Sequence, residues 1–186
     1  MKNPSTRLTL PLTLEAVKAL RAGMNVTLEG ELLVARDTAH KRLYEALEKK
    51  EKLPVSLKDQ TIYYMGPSPA RPGQVIGAAG PTTSGRMDFY TPRLLAEGVR
   101  GLIGKGERSK EVKEALVSYQ AIYFSAIGGI GALLSKKIKE VNILAYEDLG
   151  AEALRLIRVS DFPAVVVLDT YGGNLYEEGR RSYKTL

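Results

Sequence analysis

A chain of 186 residues with 44% hydrophobic and 26% charged side chains has the size and balance of one globular domain, residues 1–186, with a real core. It has no cysteine and one histidine, His40, which excludes disulfides, thiol nucleophiles, a cluster held on its own thiolates and a zinc site needing two histidines. Its 27 basic against 21 acidic residues leave +6 at pH 7, a field that suits nucleic acid, a small dianion or an acidic partner.

The opening MKNPSTRLTL carries a lysine but no apolar signal core, so a cytoplasmic home is expected. Ala121 to Leu134 is too short and too glycine-rich to span a membrane. Thr6 to Leu10 alternates like a strand, and Pro11-Leu12-Thr13 caps a helix from Leu14 to Arg21 that Gly23 ends. Asn25 to Val34 reads as a strand whose Glu-Gly pair marks a hairpin or a bulge. Asp37 and Thr38 cap a helix predicted over Ala39 to Lys52, stopped by Pro54.

A short strand, Thr61 to Met65, precedes a proline-rich loop, and a further strand is predicted at Gln74 to Ala78. Thr91-Pro92 opens a helix to about Glu97, and Val99 to Ile103 is a strand. Ser109 caps a helix to Val117, Gln120 to Ser125 is a strand, and Gly128 to Gly131 opens a helix ending near Lys137. Asp148 to Arg158 is predicted helical, Ala164 to Leu168 a buried strand, and Leu175-Tyr176 a last short strand. This alternation predicts an α/β or mixed layered fold. Lysines beside glutamates at Glu45–Lys52, Lys110–Glu114 and Lys136–Glu140 read as solvated helix faces, which ranks nucleic acid last among the partners.

Three segments share one pattern: an apolar strand ends and a cationic or hydroxyl residue follows. They are Val34 to Thr38, Gly80 to Arg86, and Ile103 to Gly106. Loops leaving strand ends line ligand crevices in layered α/β folds, so three cations there can meet one anion. In Gly80-Pro81-Thr82-Thr83-Ser84-Gly85-Arg86-Met87-Asp88, glycines admit a ligand close to the backbone, three hydroxyls follow in a row, and Arg86 offers a planar fork. The same run also fits a hydroxyl-rich helix cap followed by a surface arginine. Arg36 precedes a helix start, where an anion is favoured, or it pairs with Asp37; His40, four residues on, shares its helical face. Lys105 lies between two glycines, but Gly98 to Gly104 has the wrong spacing and Gly106 stands where a nucleotide loop needs Ser or Thr.

The run GPTTSGRMDFYTPRLLAEGVRGLIGKG resembles the C-terminal, or β-subunit, region of class I fumarate hydratases and L-tartrate dehydratases. The segments ARDTAHKRL, SAIGGIGALLSKKIK and DFPAVVVLDTYGGNLY follow the same family in order and spacing. The resemblance implies a swivelling β/β/α domain and a hydro-lyase acting on fumarate/malate or tartrate; a non-catalytic module that binds small dicarboxylates is the alternative. It also implies a [4Fe-4S] cluster on three cysteines of a separate α subunit, and assembly as a dimer of heterodimers. By the same match Arg36, Arg86 and Lys105 bind the substrate carboxylates and Thr82 transfers a proton; Thr83 is expected beside the substrate, and Thr83 or Ser84 orients Thr82. Phe89 departs from the family, where a proline or small residue is common.

Overall fold

The computed structural model describes residues 5–184. The opening residues 1–4, on which the expected lack of a leader partly rests, lie outside it. The strands are β1 (Thr6–Thr9), β2 (Asn25–Val34), β3 (Thr61–Tyr63), β4 (Gly101–Gly104), β5 (Ile122–Ser125), β6 (Ile138–Ala145) and β7 (Leu154–Leu168). The helices are α1 (Leu14–Ala19), α2 (Asp37–Glu48), α3 (Thr91–Ala96), α4 (Lys110–Ser118), α5 (Gly131–Ser135) and α6 (Leu175–Tyr183).

β2, β3, β4 and β5 run parallel, each paired to the next. The long β7 then runs antiparallel to β5 and returns to pair with β2 along most of its length, which closes the mixed sheet into a barrel. β1 extends one side of β2 and β6 one side of β7. The fold is therefore α/β, built on a closed mixed sheet.

Strand alternation sorts the core into two sets. Leu32, Val34, Tyr63, Ile103, Phe124 and Val166 belong to one cluster, inside the ring, with Val17 of α1 and Leu20 at its C-cap packed among them. Leu33, Ile62, Tyr64, Leu102, Tyr123 and Val167 point the other way, and α2, α3 and α4 cover them with Leu43, Leu94 and Leu116. Each fully buried aliphatic side chain contributes about 1.5–3 kcal/mol, so the ring and its helical coat hold each other in place.

The Glu-Gly pair marks a bulge. The β2–β7 register slips between Leu28 and Gly30, with Gly30 at φ 119 and Asp161 on the facing strand at φ 50.

Four predicted elements are corrected. Gln74 to Ala78 forms no strand: Ala78 N–H donates to Ser68 Oγ at 2.8 Å and Ser68 N–H to the Ala78 carbonyl at 3.1 Å, folding the segment against the proline loop. Lys136 to Glu140 is not a helix face, because Ile138 begins β6. Asp148 to Arg158 is helical only as a 3₁₀ segment, Glu147–Glu152, after which the chain enters β7; pairing with β2 and β6 outweighs the local helical pattern. Leu175-Tyr176 starts α6, because the Asn174 side chain accepts from the N–H groups of Tyr176 and Glu177.

Candidate functional site

Because β2 to β5 are parallel, their C-terminal ends share one rim, and the segments that carry Arg36, Thr82, Arg86 and Lys105 leave from it. Arg36 lies two residues past Val34, the signature loop follows the exit of β3, and Lys105 directly follows Gly104. The Gly128–Gly131 segment follows β5 on the same rim.

The signature loop is stitched between the ends of β3 and β4. The Tyr63 hydroxyl, whose pKa burial pushes up, donates to the Ala79 carbonyl at 2.6 Å. Met65 bridges Pro81, and Thr82 N–H donates to the Tyr64 carbonyl at 2.7 Å. Thr83 bridges Lys105, and Ser84 N–H donates to the Lys105 carbonyl at 2.9 Å. The buried Ser84 Oγ accepts from Lys105 N–H at 3.1 Å and from the Tyr123 hydroxyl at 2.9 Å. Burial raises the Tyr123 pKa, so that phenol remains a donor. Ser84 is thus a rivet, turned away from the rim. Thr82 is half-buried and Thr83 exposed, which leaves the two threonines as the hydroxyls at the surface of this segment.

The end of the loop is anchored by a residue the sequence reading passed over. Arg108 is buried, donates from Nε to Asp88 Oδ1 at 2.7 Å and from Nη2 to Thr91 Oγ1 at 2.8 Å, and lies 5.3 and 5.0 Å from the Tyr64 and Tyr123 ring centres. Asp88 Oδ2 also accepts from Ser109 N–H at 2.6 Å. A buried charge with a paired carboxylate and two aromatic faces is a built structural centre, which carries the loop's Met87-Asp88 end into the core. Its only trace in the sequence is Asp88 itself, the last residue of the nonamer.

The arginines are held differently. Arg36, expected near a helix start, is the N-cap of α2 with no side-chain cap bond, and Asp37, expected as a cap, is the first helical residue. A remote carboxylate does the capping: Glu152 Oε2 accepts from Thr38 N–H at 2.9 Å. Arg36 Nε donates to Asp37 Oδ2 at 2.9 Å, and its Nη2 lies 3.2 Å from Glu152 Oε1. It packs flat over Gly66, where an added Cβ would come within 2.6 Å of Nη1. Arg86, from a 3₁₀ turn (Ser84–Met87), reaches the same Asp37 Oδ2 at 2.7 Å. The structure therefore brings Arg36 and Arg86 onto one oxygen from 49 positions apart, measured from Asp37 to Arg86.

Lys105 is exposed and runs beside Gly128, whose hypothetical Cβ would stand 3.7 Å from Cδ and 3.9 Å from Nζ. Gly131 meets the signature loop at Gly80, where an added Cβ would lie 2.9 Å from the Gly80 nitrogen, and Ala79 N–H donates to the Gly131 carbonyl at 3.0 Å. The glycine segment is thus close packing beside the candidate site.

His40 shares the helix with Arg36 but points into the core. It is fully buried, neither ring nitrogen has a hydrogen-bond partner, and it meets the Tyr64 ring edge-on at 5.0 Å. Desolvation lowers its pKa to about 4. Phe89, 75% exposed, forms a surface aromatic group with Tyr44 and Tyr90.

Among the described residues no group of His, Cys, Asp or Glu could hold a metal ion, and the chain has no cysteine for a cluster. No described helix is long and apolar enough to cross a membrane. Surface hollows of about 410 and 290 Å³ are lined by Arg42, Lys49 and Tyr146 and by the proline loop with Arg155, and none of Arg36, Thr82, Arg86 or Lys105 lines either. The rim is a shelf of cations and hydroxyls that can grip carboxylates, and it lies outside these two hollows.

A model of the protein family described as Fumarase C-terminus matches residues 2–179. Fumarate hydratase 2 of Leishmania major is 42% identical over 84% of this chain, and the aerobic class I fumarate hydratase of Escherichia coli K12 is 39% identical over 82%. The match occupies 28% of the length of each of those two proteins. A Methanocaldococcus jannaschii protein, provisionally named L(+)-tartrate dehydratase subunit beta, is 36% identical over 94% of this chain and 93% of its own length.

Proposed function

The chain belongs to the Fumarase C-terminus family, and from that membership we propose that it is the β subunit of a hydro-lyase that interconverts fumarate and malate. The observation that carries this reading is the convergence of Arg36 and Arg86 on the rim that also bears Thr82 and Lys105. Arg36, Arg86 and Lys105 bind the two carboxylates, Thr82 handles the proton, and Thr83 borders the substrate. The barrel belongs to the swivelling β/β/α class implied by the resemblance, and the whole chain acts as one domain.

Taking a proton from the carbon beside a carboxylate loads negative charge onto that carboxylate as the C–H bond breaks. Fixed cations aimed at its oxygens are worth most at that moment, since they need no reorganisation. Arginine suits the task because its planar fork meets a carboxylate with two parallel hydrogen bonds. A threonine hydroxyl is a weak base by itself, and the cations stabilise its alkoxide together with the charged substrate. A loop hydrogen-bonded on both sides holds the Thr82 backbone on the rim that bears these cations.

The shelf-like rim and the lack of thiolates both support a partner. We assign the [4Fe-4S] cluster to a cysteine-bearing α subunit that covers the shelf, with two such heterodimers forming the assembly. No step assigned to this chain runs through the cluster. A tartrate dehydratase is the second reading, favoured by the 36% identity to the Methanocaldococcus jannaschii protein over 94% of this chain.

The test is anaerobic co-expression with the cluster-bearing partner and comparison of malate, fumarate and tartrate turnover. Turnover is expected only in the complex, with Thr82→Ala slowing it about 10²–10⁴-fold and Arg86→Lys about tenfold or more. Full activity of the isolated, iron-free chain would overturn the proposal.

A further inference from the structure

The two arginines on the rim are not equally secured. Arg36 is held by Asp37, by Glu152 and by the floor that Gly66 leaves for it. Arg86 has 48% of its side chain in solvent although its turn is anchored by buried Ser84 and Met87, and the carboxylate that holds it is Asp37. Asp37 is itself fixed, as the first residue of α2, and its Oδ2 accepts from Arg36 Nε at 2.9 Å and from Arg86 Nη2 at 2.7 Å. One oxygen thus sets the spacing between two cations that would otherwise repel each other.

A free arginine side chain has four rotatable bonds, and ordering it on binding costs rotamer entropy. A guanidinium carries five N–H donors, so a single bond to Asp37 orients Arg86 and leaves Nε and Nη1 for a ligand. The bond also arrives from a helix terminus, a more rigid support than a second surface loop would be.

We propose that Asp37 is a positioning residue, a shared carboxylate that holds Arg36 and Arg86 in register so that both grip the same dicarboxylate. It touches neither the substrate nor the transferred proton, and it acts through Arg86 above all. This rests on the reading of Arg36 and Arg86 as carboxylate binders.

The kinetic test is a double-mutant cycle in the assembled enzyme. Asp37→Asn, nearly the same size, is expected to raise the KM for the dicarboxylate about tenfold while kcat changes less, the pattern of lost binding common to ground and transition states. In an Arg86→Met background the same substitution is expected to change KM about threefold or less, because coupled residues are not additive. Equal effects in both backgrounds would overturn the positioning role and leave the carboxylate binding of Arg86 intact. An Arg86→Met enzyme with unchanged KM would sink the underlying reading and this inference with it.

A second measurement needs no turnover. Nitrogen-15 NMR of the isolated full chain is expected to show slowed guanidinium rotation at Arg86 and its loss in Asp37→Asn. Free rotation of Arg86 in the unsubstituted chain would refute the proposal whatever the kinetics. Asp37→Ser, also compatible with a helix start, repeats both measurements if the asparagine variant fails to fold.

Discussion

Gly104→Ala puts the stitching of the signature loop to a direct test. Gly104 ends β4, its carbonyl accepts from Ala126 N–H at 2.9 Å, and an added Cβ would stand 1.9 Å from Ser84 Oγ, 3.0 Å from Tyr64 Cδ2 and 3.3 Å from Ser84 Cβ. Ser84 has no room to turn, since it is buried between Lys105 N–H and the Tyr123 hydroxyl. Forcing a methyl into a packed site costs about 1–3 kcal/mol. Losing the two Ser84 hydrogen bonds adds about 0.5–1.5 kcal/mol each. The expected destabilisation is therefore about 2–6 kcal/mol, the sum of one steric cost and two bonds. Urea unfolding followed by far-ultraviolet circular dichroism measures it in a chain with no tryptophan. Ser84→Gly added to Gly104→Ala should recover the steric part, at least about 1 kcal/mol. A single variant destabilised by less than about 1 kcal/mol, or a double variant no more stable than the single, would refute the rivet.

His40 makes stability depend on pH. Its folded pKa of about 4, against a reference of 6.5, means burial favours the neutral ring, so the unfolded chain binds the proton more readily. The contribution is fully present above pH 6.5 and is lost as pH falls toward 4, about 3 kcal/mol in all. His40→Phe should flatten that part of the urea-midpoint profile, and an unchanged slope between pH 6.5 and 4 would contradict it. Arg108→Met strands the Asp88 carboxylate and should cost about 3–5 kcal/mol by the same denaturation assay. A loss under about 1 kcal/mol would show that the buried arginine is not the anchor of the loop.

Much of the fold was readable because its signals were local. Ser109 caps α4 through a side-chain bond to Val112 N–H, Thr13 does the same for α1, and the apolar alternation of β2 survives its bulge. What was misread depended on distant partners. Leu154 to Val159 carries leucine, isoleucine and valine spaced well enough for a helix, and pairing on both edges makes it a strand. Leu175-Tyr176 is short and apolar enough to suggest a strand, but the Asn174 cap and the acidic Glu177 and Glu178 in the first turn favour the helix. At the rim the sequence pointed to Arg36, Arg86 and Lys105 through their places after strands. It gave no sign of the sharing of Asp37, since residues in α2 and the signature loop meet only once the sheet is built. Ser84 was an open question in the sequence because a hydroxyl in a run of three looks the same whether it faces solvent or a tyrosine.

The ring closure has a consequence for how the chain is made. Among the described residues β2 has β7 as its antiparallel neighbour, so Glu31 meets Arg158 across 127 positions, and Arg36 meets Glu152 just ahead of the same strand. During synthesis every residue of the rim is made before the strand that closes the barrel. The nascent chain must wait with two half-paired edges, and long-range pairing of this kind folds slowly. A chain stopped before Leu154 would keep all five residues of the proposed site, yet lack the strand that closes the ring around their supports.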